Sequence, residues 1–250
     1  MHTAIMQPYF FPYLGYFNLI HACDSFVFLD NVQHIERGFV NRNRILVQGK
    51  PHLFTVPLAA GPREAWIQER FLSESFPQFR AKFLTMLKHA YAKAPNYAAV
   101  MELVADVLAS ETLTLAQLCQ KSILATARYL GLERRFLVAS DMLTAEDARR
   151  LKGAEKILAL AKALGTTRYL NPIGGIELYH EEVFAREGME LRFVKPALPA
   201  YPQPAATFVP ALSILDVMMQ TPQGELAAQL AAYVLIDGTE RLPDTKDAVA

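Results

Sequence analysis

Apolar positions fall into short continuous runs near the start of the chain, take on a helical rhythm in its middle, and alternate between the two in its last third. Thr3 to Gln7 and Ser25 to Asp30 read as strands buried on both faces, the second with a carboxylate at its carboxyl end. Between them, Phe17, Leu19 and Ile20 belong to a helix that begins near Gly15 and ends at Ala22. Pro8 and Pro12 lack a backbone N–H and fix φ, so neither helix nor sheet runs through them. The linking segment from Tyr9 to Phe17 is therefore a tight loop crowded with aromatic rings around Gly15. Strand, loop, helix, strand is a βαβ unit, which places ligands at the carboxyl ends of its strands.

Arg44 to Gln48 and Leu53 to Leu58 read as a hairpin turning at Gly49-Lys-Pro51, and Ala65 to Leu72 as a further strand. From Phe76 the period becomes helical. Phe79, Phe83, Leu84 and Leu87 share one face of a helix ending near Ala94, before Pro95. A second helix runs from about Tyr97 to Ala109. A third opens at Glu111-Thr-Leu-Thr-Leu and stops at Gly131. Arg135 to Ala139 is then a strand, Thr144 to Leu164 a helix, Thr167 to Leu170 a strand, Glu177 to Arg186 a helix and Met189 to Val194 a strand. A proline-rich loop follows, and Leu212 to Met219 and Gly224 to Val234 read as helices. The pattern predicts an α/β fold, a Rossmann-like parallel or mixed sheet with an N-terminal βαβ unit. One domain is expected over residues 1–240, with a helical insertion at about 76–131 and a flexible tail at 241–250.

Composition narrows the field. At 250 residues the chain can bury a substantial core, and 52% hydrophobic with 20% charged residues is ordinary for a globular protein. Twenty-five basic and 25 acidic residues cancel, so no global field recruits nucleic acid or an anionic membrane. Cys23 and Cys119 are too few for a disulfide framework and read as buried thiols, which fits the cytoplasm. No signal peptide or transmembrane run of about 18 apolar residues is expected.

Candidate chemistry gathers near the aromatic loop: Asp30, Gln33, Arg42, Asn43 and Arg44. Paired arginines bind carboxylate or phosphate in a planar fork, and aromatics stack on a base or sugar face. A solvated loop and strand edge explains Asn41-Arg-Asn-Arg44 on the residues alone. Tyr13-Leu-Gly-Tyr16 occupies the place of the H-x-G-H signature of nucleotidyltransferases, but tyrosine cannot supply an imidazolium. Asn171-Pro-Ile-Gly-Gly175 follows a strand and precedes a helix, where N–H groups hold anions, although a plain turn accounts for it too. Ser213 and Asp216 read as a helix cap or a buried hydrogen bond. Cys23 with His34 is a weaker nucleophile–base pair. The scattered histidines give no metal motif, and no Gly-x-Ser-x-Gly elbow, Walker A sequence or complete dinucleotide fingerprint is present.

The chain resembles the WbqC-like family of bacterial proteins. The resemblance is carried by Gln7 to Ile20, Asp30 to Gln33 and Asn41 to Ile45. Further matches are Thr55-Val-Pro57, Tyr91-Ala-Lys-Ala-Pro95, Tyr201-Pro-Gln203 and Phe208 to Asp216. Asn171-Pro172 stands where a Ser-Gly pair is commoner, and Gln220-Thr-Pro-Gln replaces an Asn-Gly-like stop; Gly175 and Tyr179 keep the family spacing. The resemblance implies a transferase of surface-polysaccharide, O-antigen-type biosynthesis, moving an aminoacyl (glycine-type) or other acyl group to the amino sugar of a nucleotide-linked sugar. It names no cofactor. In that reading Asp30 orients or deprotonates the attacking amine, Arg42 and Arg44 hold anionic groups, and Tyr9, Tyr13 and Tyr16 form a sugar or base platform. Gln7, Gly15, Gln33, Asn43, Gly175, Tyr179, Tyr201 and Gln203 complete the substrate contacts, although on the residues alone Tyr201-Pro-Gln203, in a proline-rich loop, reads first as structural and otherwise as a segment closing over a ligand. An ATP-dependent adenylylating ligase or nucleotidyltransferase, and a non-catalytic sugar-nucleotide-binding module, remain the alternatives.

Overall fold

The computed structural model describes residues 1–109 and 114–239. In chain order the strands are β1 (His2–Met6), β2 (Ser25–Phe28), β3 (Arg42–Val47), β4 (Lys50–Thr55), β5 (Arg135–Val138), β6 (Arg168–Pro172), β7 (Glu190–Pro196) and β8 (Tyr233–Asp237). Six of them form one sheet in the order β5-β2-β1-β6-β7-β8. The first five run parallel and β8 joins β7 antiparallel. β3 and β4 form a separate antiparallel hairpin. The main sheet is of the Rossmann-like α/β type.

The strands carry apolar residues on both faces because both faces are covered. Ala4, Phe26, Phe28, Leu170 and Val194 point into one core, shared with the N-terminal helix and the helical block. Their neighbours Ile5, Val27, Tyr169, Leu191 and Phe193 point into a second core on the opposite face. That period of two explains the continuous apolar runs in the sequence.

The helices are α1 (Leu14–Ala22), α2 (Phe76–Tyr91), α3 (Tyr97–Ala109), α4 (Leu115–Tyr129), α5 (Ala139–Met142), α6 (Ala145–Arg150), α7 (Gly153–Ala163), α8 (Glu181–Ala185), α9 (Ile214–Gln220) and α10 (Leu226–Ala231). Thr114 caps α4 by accepting from the Gln117 N–H at 3.3 Å. α4 meets the aromatic loop where the Phe11 N–H donates to Ser122 Oγ at 3.2 Å. α1 is locked to the C-terminal segment, because Asn18 donates to the carbonyls of both Gln229 and Leu230.

Five expectations change. The hairpin turns at Gln48-Gly49, both at positive φ (+51° and +75°), and Lys50 and Pro51, expected in the turn, pair with Val47 and Leu46 as the start of β4. Residues 65–72 are no strand; they form isolated bridges around a 3₁₀ turn at Ile67–Glu69. The helix expected over 144–164 is broken into α6 and α7, because Leu151 and Lys152 are extended and Gly153 takes a φ of +51°. The helix expected over 224–234 is the short α10, followed by the edge strand β8. That expected over 177–186 shrinks to α8. The expected tail at 241–250 and the opening of the third helix at Glu111-Thr-Leu113 lie outside the described residues. Among the described residues, no helix is long and apolar enough to cross a membrane.

Candidate functional site

From β1 the chain passes through α1 to β2 on one side, while β6 flanks β1 on the other. The order therefore reverses at β1, and the crevice beyond the carboxyl ends is where folds of this type bind ligands. Asp30 follows β2 there, Ser140 follows β5, and Asn171 to Gly175 close β6.

Asp30 is 3% exposed. One carboxylate oxygen accepts from the Ser140 N–H at 3.0 Å and the other from Ser140 Oγ at 2.8 Å. Burial pushes its pKa up, against the Ser140 hydrogen bonds, which pull it down. Asp30 and Ser140 line a cavity of about 470 Å³ together with Asp141, Gln68, Gln117 and Gln120.

The segment after Asp30 pairs with residues 66–68. The Gln68 N–H donates to Asp30 O at 3.1 Å, the Ile67 N–H to Val32 O at 2.9 Å, and Gln33 bridges to Trp66. This ribbon lends different residues to a second cavity, of about 360 Å³, lined by Gln33, Trp66, Arg149, Lys152, Lys156 and Tyr179 among others. Lys156 is 5% exposed and donates Nζ to Asn31 O at 2.8 Å. Burial lowers its pKa, and the charge of Asp30 partly restores it. The Arg149 guanidinium lies 4.8 Å from the Trp66 ring centroid and Lys156 Nζ 5.2 Å from it.

Of the sequence candidates, Gln33 and Tyr179 line this second cavity. Gly175 sits behind Tyr179: a Cβ there would lie 2.1 Å from Asn171 Oδ1 and 3.5 Å from the Tyr179 ring, so only glycine fits. Asn171 donates to the Tyr169 hydroxyl at 2.7 Å.

The aromatic loop forms a different neighbourhood. Tyr16 is 2% exposed and donates its hydroxyl to Gln7 O at 2.8 Å, with the half-buried Tyr9 ring 5.8 Å away. Tyr13 precedes α1 and covers Gly15, whose absent Cβ would come within 2.3 Å of its ring. Tyr16 therefore packs in the core rather than offering a face to a ligand, and the space over Gly15 is filled by the Tyr13 ring. Arg42 donates Nε to Gly38 O at 2.7 Å and lies over Phe39. Asn43 is buried and donates to Phe11 O at 2.8 Å. Arg44 is half-buried, and its Nε is buried with no hydrogen-bond partner among the described residues. Neither arginine lines the two cavities that flank the ribbon.

Tyr201 and Gln203 converge on Asp216. Tyr201 donates to one oxygen at 2.7 Å and Tyr91 to the other at 2.5 Å, while Gln203 Nε2 lies 3.5 Å from the carboxylate. Ser213 caps α9 and also donates to Phe11 O at 2.8 Å, in keeping with the reading of Ser213 and Asp216 as cap and buried hydrogen bond. Cys23 is 2% exposed, and burial pushes its thiol up to about 12. It lies before β2 and His34 after it, so the strand separates the two.

Ser140, Trp66, Arg149, Lys152 and Lys156 went unnoticed in the sequence. Ser140 carries no local signal beyond following a strand end. The cations at 149, 152 and 156 recur at spacings of three and four, the mark of one helical face, which usually means a solvated one.

This arrangement defines an α/β protein with paired cavities at the carboxyl edge of its sheet. The chain belongs to the WbqC-like protein family, whose model matches residues 7–228. It is 27% identical over 218 residues to a Mycobacterium tuberculosis protein named "Uncharacterized protein Rv1507c", a match covering 86% of this chain and 92% of that protein. No solved structure matches it significantly.

Proposed function

We propose that this protein is a cytoplasmic transferase of bacterial surface-polysaccharide assembly, moving an aminoacyl or other acyl group onto the amine of a nucleotide-linked amino sugar. The observation that supports this reading is Asp30: a buried carboxylate at a strand end, held by Ser140 and opening on a cavity of about 470 Å³. A sugar amine must lose a proton as it attacks a carbonyl. Asp30 accepts that proton while the new C–N bond forms; the acyl–leaving-group bond then breaks and the leaving group departs with the electron pair. Burial raises the carboxyl pKa and makes it a better proton acceptor than a solvated aspartate. The Gln68 side chain lines the same space and suits the hydroxyls of a sugar.

The test is to incubate the protein with UDP- and dTDP-linked amino sugars and activated glycyl or acyl donors, following the sugar nucleotide by mass spectrometry. The expected result is a product heavier by one acyl group, lost in Asp30→Asn. ATP–pyrophosphate exchange without acylation would overturn this reading in favour of an adenylylating enzyme.

A further inference from the structure

The second cavity carries a chemistry distinct from that of the Asp30 cavity. Its walls bring three cations, Arg149, Lys152 and Lys156, against one carboxylate, Glu64. The cations come from two helices and the break between them. Arg149 lies in the last turn of α6, Lys152 at the extended step, and Lys156 in the first turns of α7. Lys152 precedes α7 without capping it through its side chain, and Lys152, Gly153 and Lys156 at the start of that helix all line the cavity.

Lys156 makes no carboxylate ion pair within 4.0 Å among the described residues, and one of its three N–H groups is given to Asn31 O. Burial of this ammonium is costly even with the charge of Asp30 nearby, and an incoming anion offsets that cost. Among the described residues Arg149 is held only by an exposed pair with Glu69 at 3.6 Å and by the Trp66 ring, contacts weak enough for a ligand anion to replace. Two rings line the same cavity, Tyr179 and Trp66, with Arg149 and Lys156 lying over the Trp66 ring. The volume of about 360 Å³ falls within the roughly 300–1,000 Å³ usual for small-molecule sites.

We infer that this cavity seats the nucleoside diphosphate of the substrate, with Arg149, Lys152 and Lys156 on the phosphates and Trp66 and Tyr179 against the base. The inference rests on the transferase reading for the identity of the whole substrate. It moves the anion site away from Arg42 and Arg44, and it puts the nucleotide on one side of the 30–33 ribbon with the reacting amine on the other, beside Asp30.

Trp66 is the chain's single tryptophan, so its emission reports on this cavity alone. The experiment is a titration of the full chain with UDP and with dTDP, excited at the red edge of the indole band, with binding measured in parallel by calorimetry. The expected result is saturable quenching that weakens with salt. Affinity should fall at least tenfold in the double variant Arg149→Gln/Lys152→Gln, two exposed positions whose change leaves the fold intact, and stay unchanged in Arg42→Ala. Calorimetric binding that neither quenches Trp66 nor responds to the double variant would overturn the seat. So would acylation of a nucleotide-free amino sugar with no nucleotide binding, which would leave the transferase standing. Variant-sensitive nucleotide binding with no acylation of any sugar would uphold the seat and remove the transferase reading instead.

Discussion

Asp30 and Asp216 are both buried aspartates whose pKa burial raises, yet they belong to regions built for opposite ends. Asp216 is 0% exposed and closed in: Tyr91 and Tyr201 donate to its two oxygens, and the Leu46 backbone adds another hydrogen bond. Burial keeps both phenols protonated and the neighbouring carboxylate reinforces it, so both remain donors. Both of its oxygens are thus taken by the protein itself. Asp30 accepts from Ser140 and from its own backbone N–H, and it lines an open cavity. A carboxylate whose acceptor sites are saturated ties chain segments together, whereas one with capacity facing a cavity can exchange a proton.

The comparison breaks most sharply under substitution. Asp30→Asn keeps the shape and removes the base, so turnover in the acyl-transfer assay should fall by about 10²–10⁴-fold. Its melting temperature should fall less than that of Asp216→Ala, because the amide keeps an acceptor for the Ser140 N–H and loses only the charge-assisted bond from Ser140 Oγ. Asp216→Ala should do the reverse, leaving two buried phenols without an acceptor and opening a void. Hydrogen bonds to a charged group contribute ~1.5–3 kcal/mol each, so the loss of stability should reach ~3–5 kcal/mol in urea unfolding. If Asp216→Ala proved as stable as wild type but inactive, the two regions would have been assigned the wrong way round.

A smaller effect tests whether the aromatic loop belongs to the closed region. Ser213 and Asn43 both donate to Phe11 O, and Tyr13 bridges to Ser213, so the loop is bound to the segment that carries Asp216. Gly15→Ala would drive a methyl to 2.3 Å from the Tyr13 ring. The expected cost is ~1–3 kcal/mol of stability, as for other overpacked sites. In a Tyr13→Ala background the cost should largely vanish, a coupling that a double-mutant cycle reads directly. UDP quenching of Trp66 should be unaffected by Gly15→Ala once the protein is folded.

These regions also divide what the sequence reveals from what it hides. The parallel strands were legible because residues buried on both faces must be apolar, and α2 because its period is clear; the hairpin was legible too, but Pro51 drew the expected turn past Gln48-Gly49 into what is β4. The aromatic loop was legible as unusual, but its meaning was not: a run of tyrosines looks the same whether the rings face a ligand or, like Tyr16, pack in a core. Asp30 could be placed at a strand end because strand direction alone puts it there. Ser140 and Lys156 could not be found, because what matters about them is the segment they meet across more than a hundred residues of chain. The helix expected over 144–164 concealed the break at Leu151 to Gly153, since its apolar positions continue in phase through it. The antiparallel β8 was hidden by the Leu and Ala that precede it.

The finest distinction lies within the Asp30 pair itself. Turnover needs the ionised carboxylate, so the rate should rise with pH through the pKa of Asp30, and burial places that limb above the ordinary aspartate range. Ser140 opposes the rise by donating both its N–H and its hydroxyl to the ionised form. Ser140→Ala removes the hydroxyl and keeps the N–H, so the ionised form loses one of its donors and the limb should move further up. The rate would then fall at pH values on the limb and stay near wild type well above it. If Ser140 were instead an acyl-accepting nucleophile, its alanine variant would be inactive at every pH, and a covalent acyl adduct seen by mass spectrometry in the wild type would disappear. A pH–rate profile of the two proteins side by side therefore separates a serine that tunes a base from one that carries the acyl group.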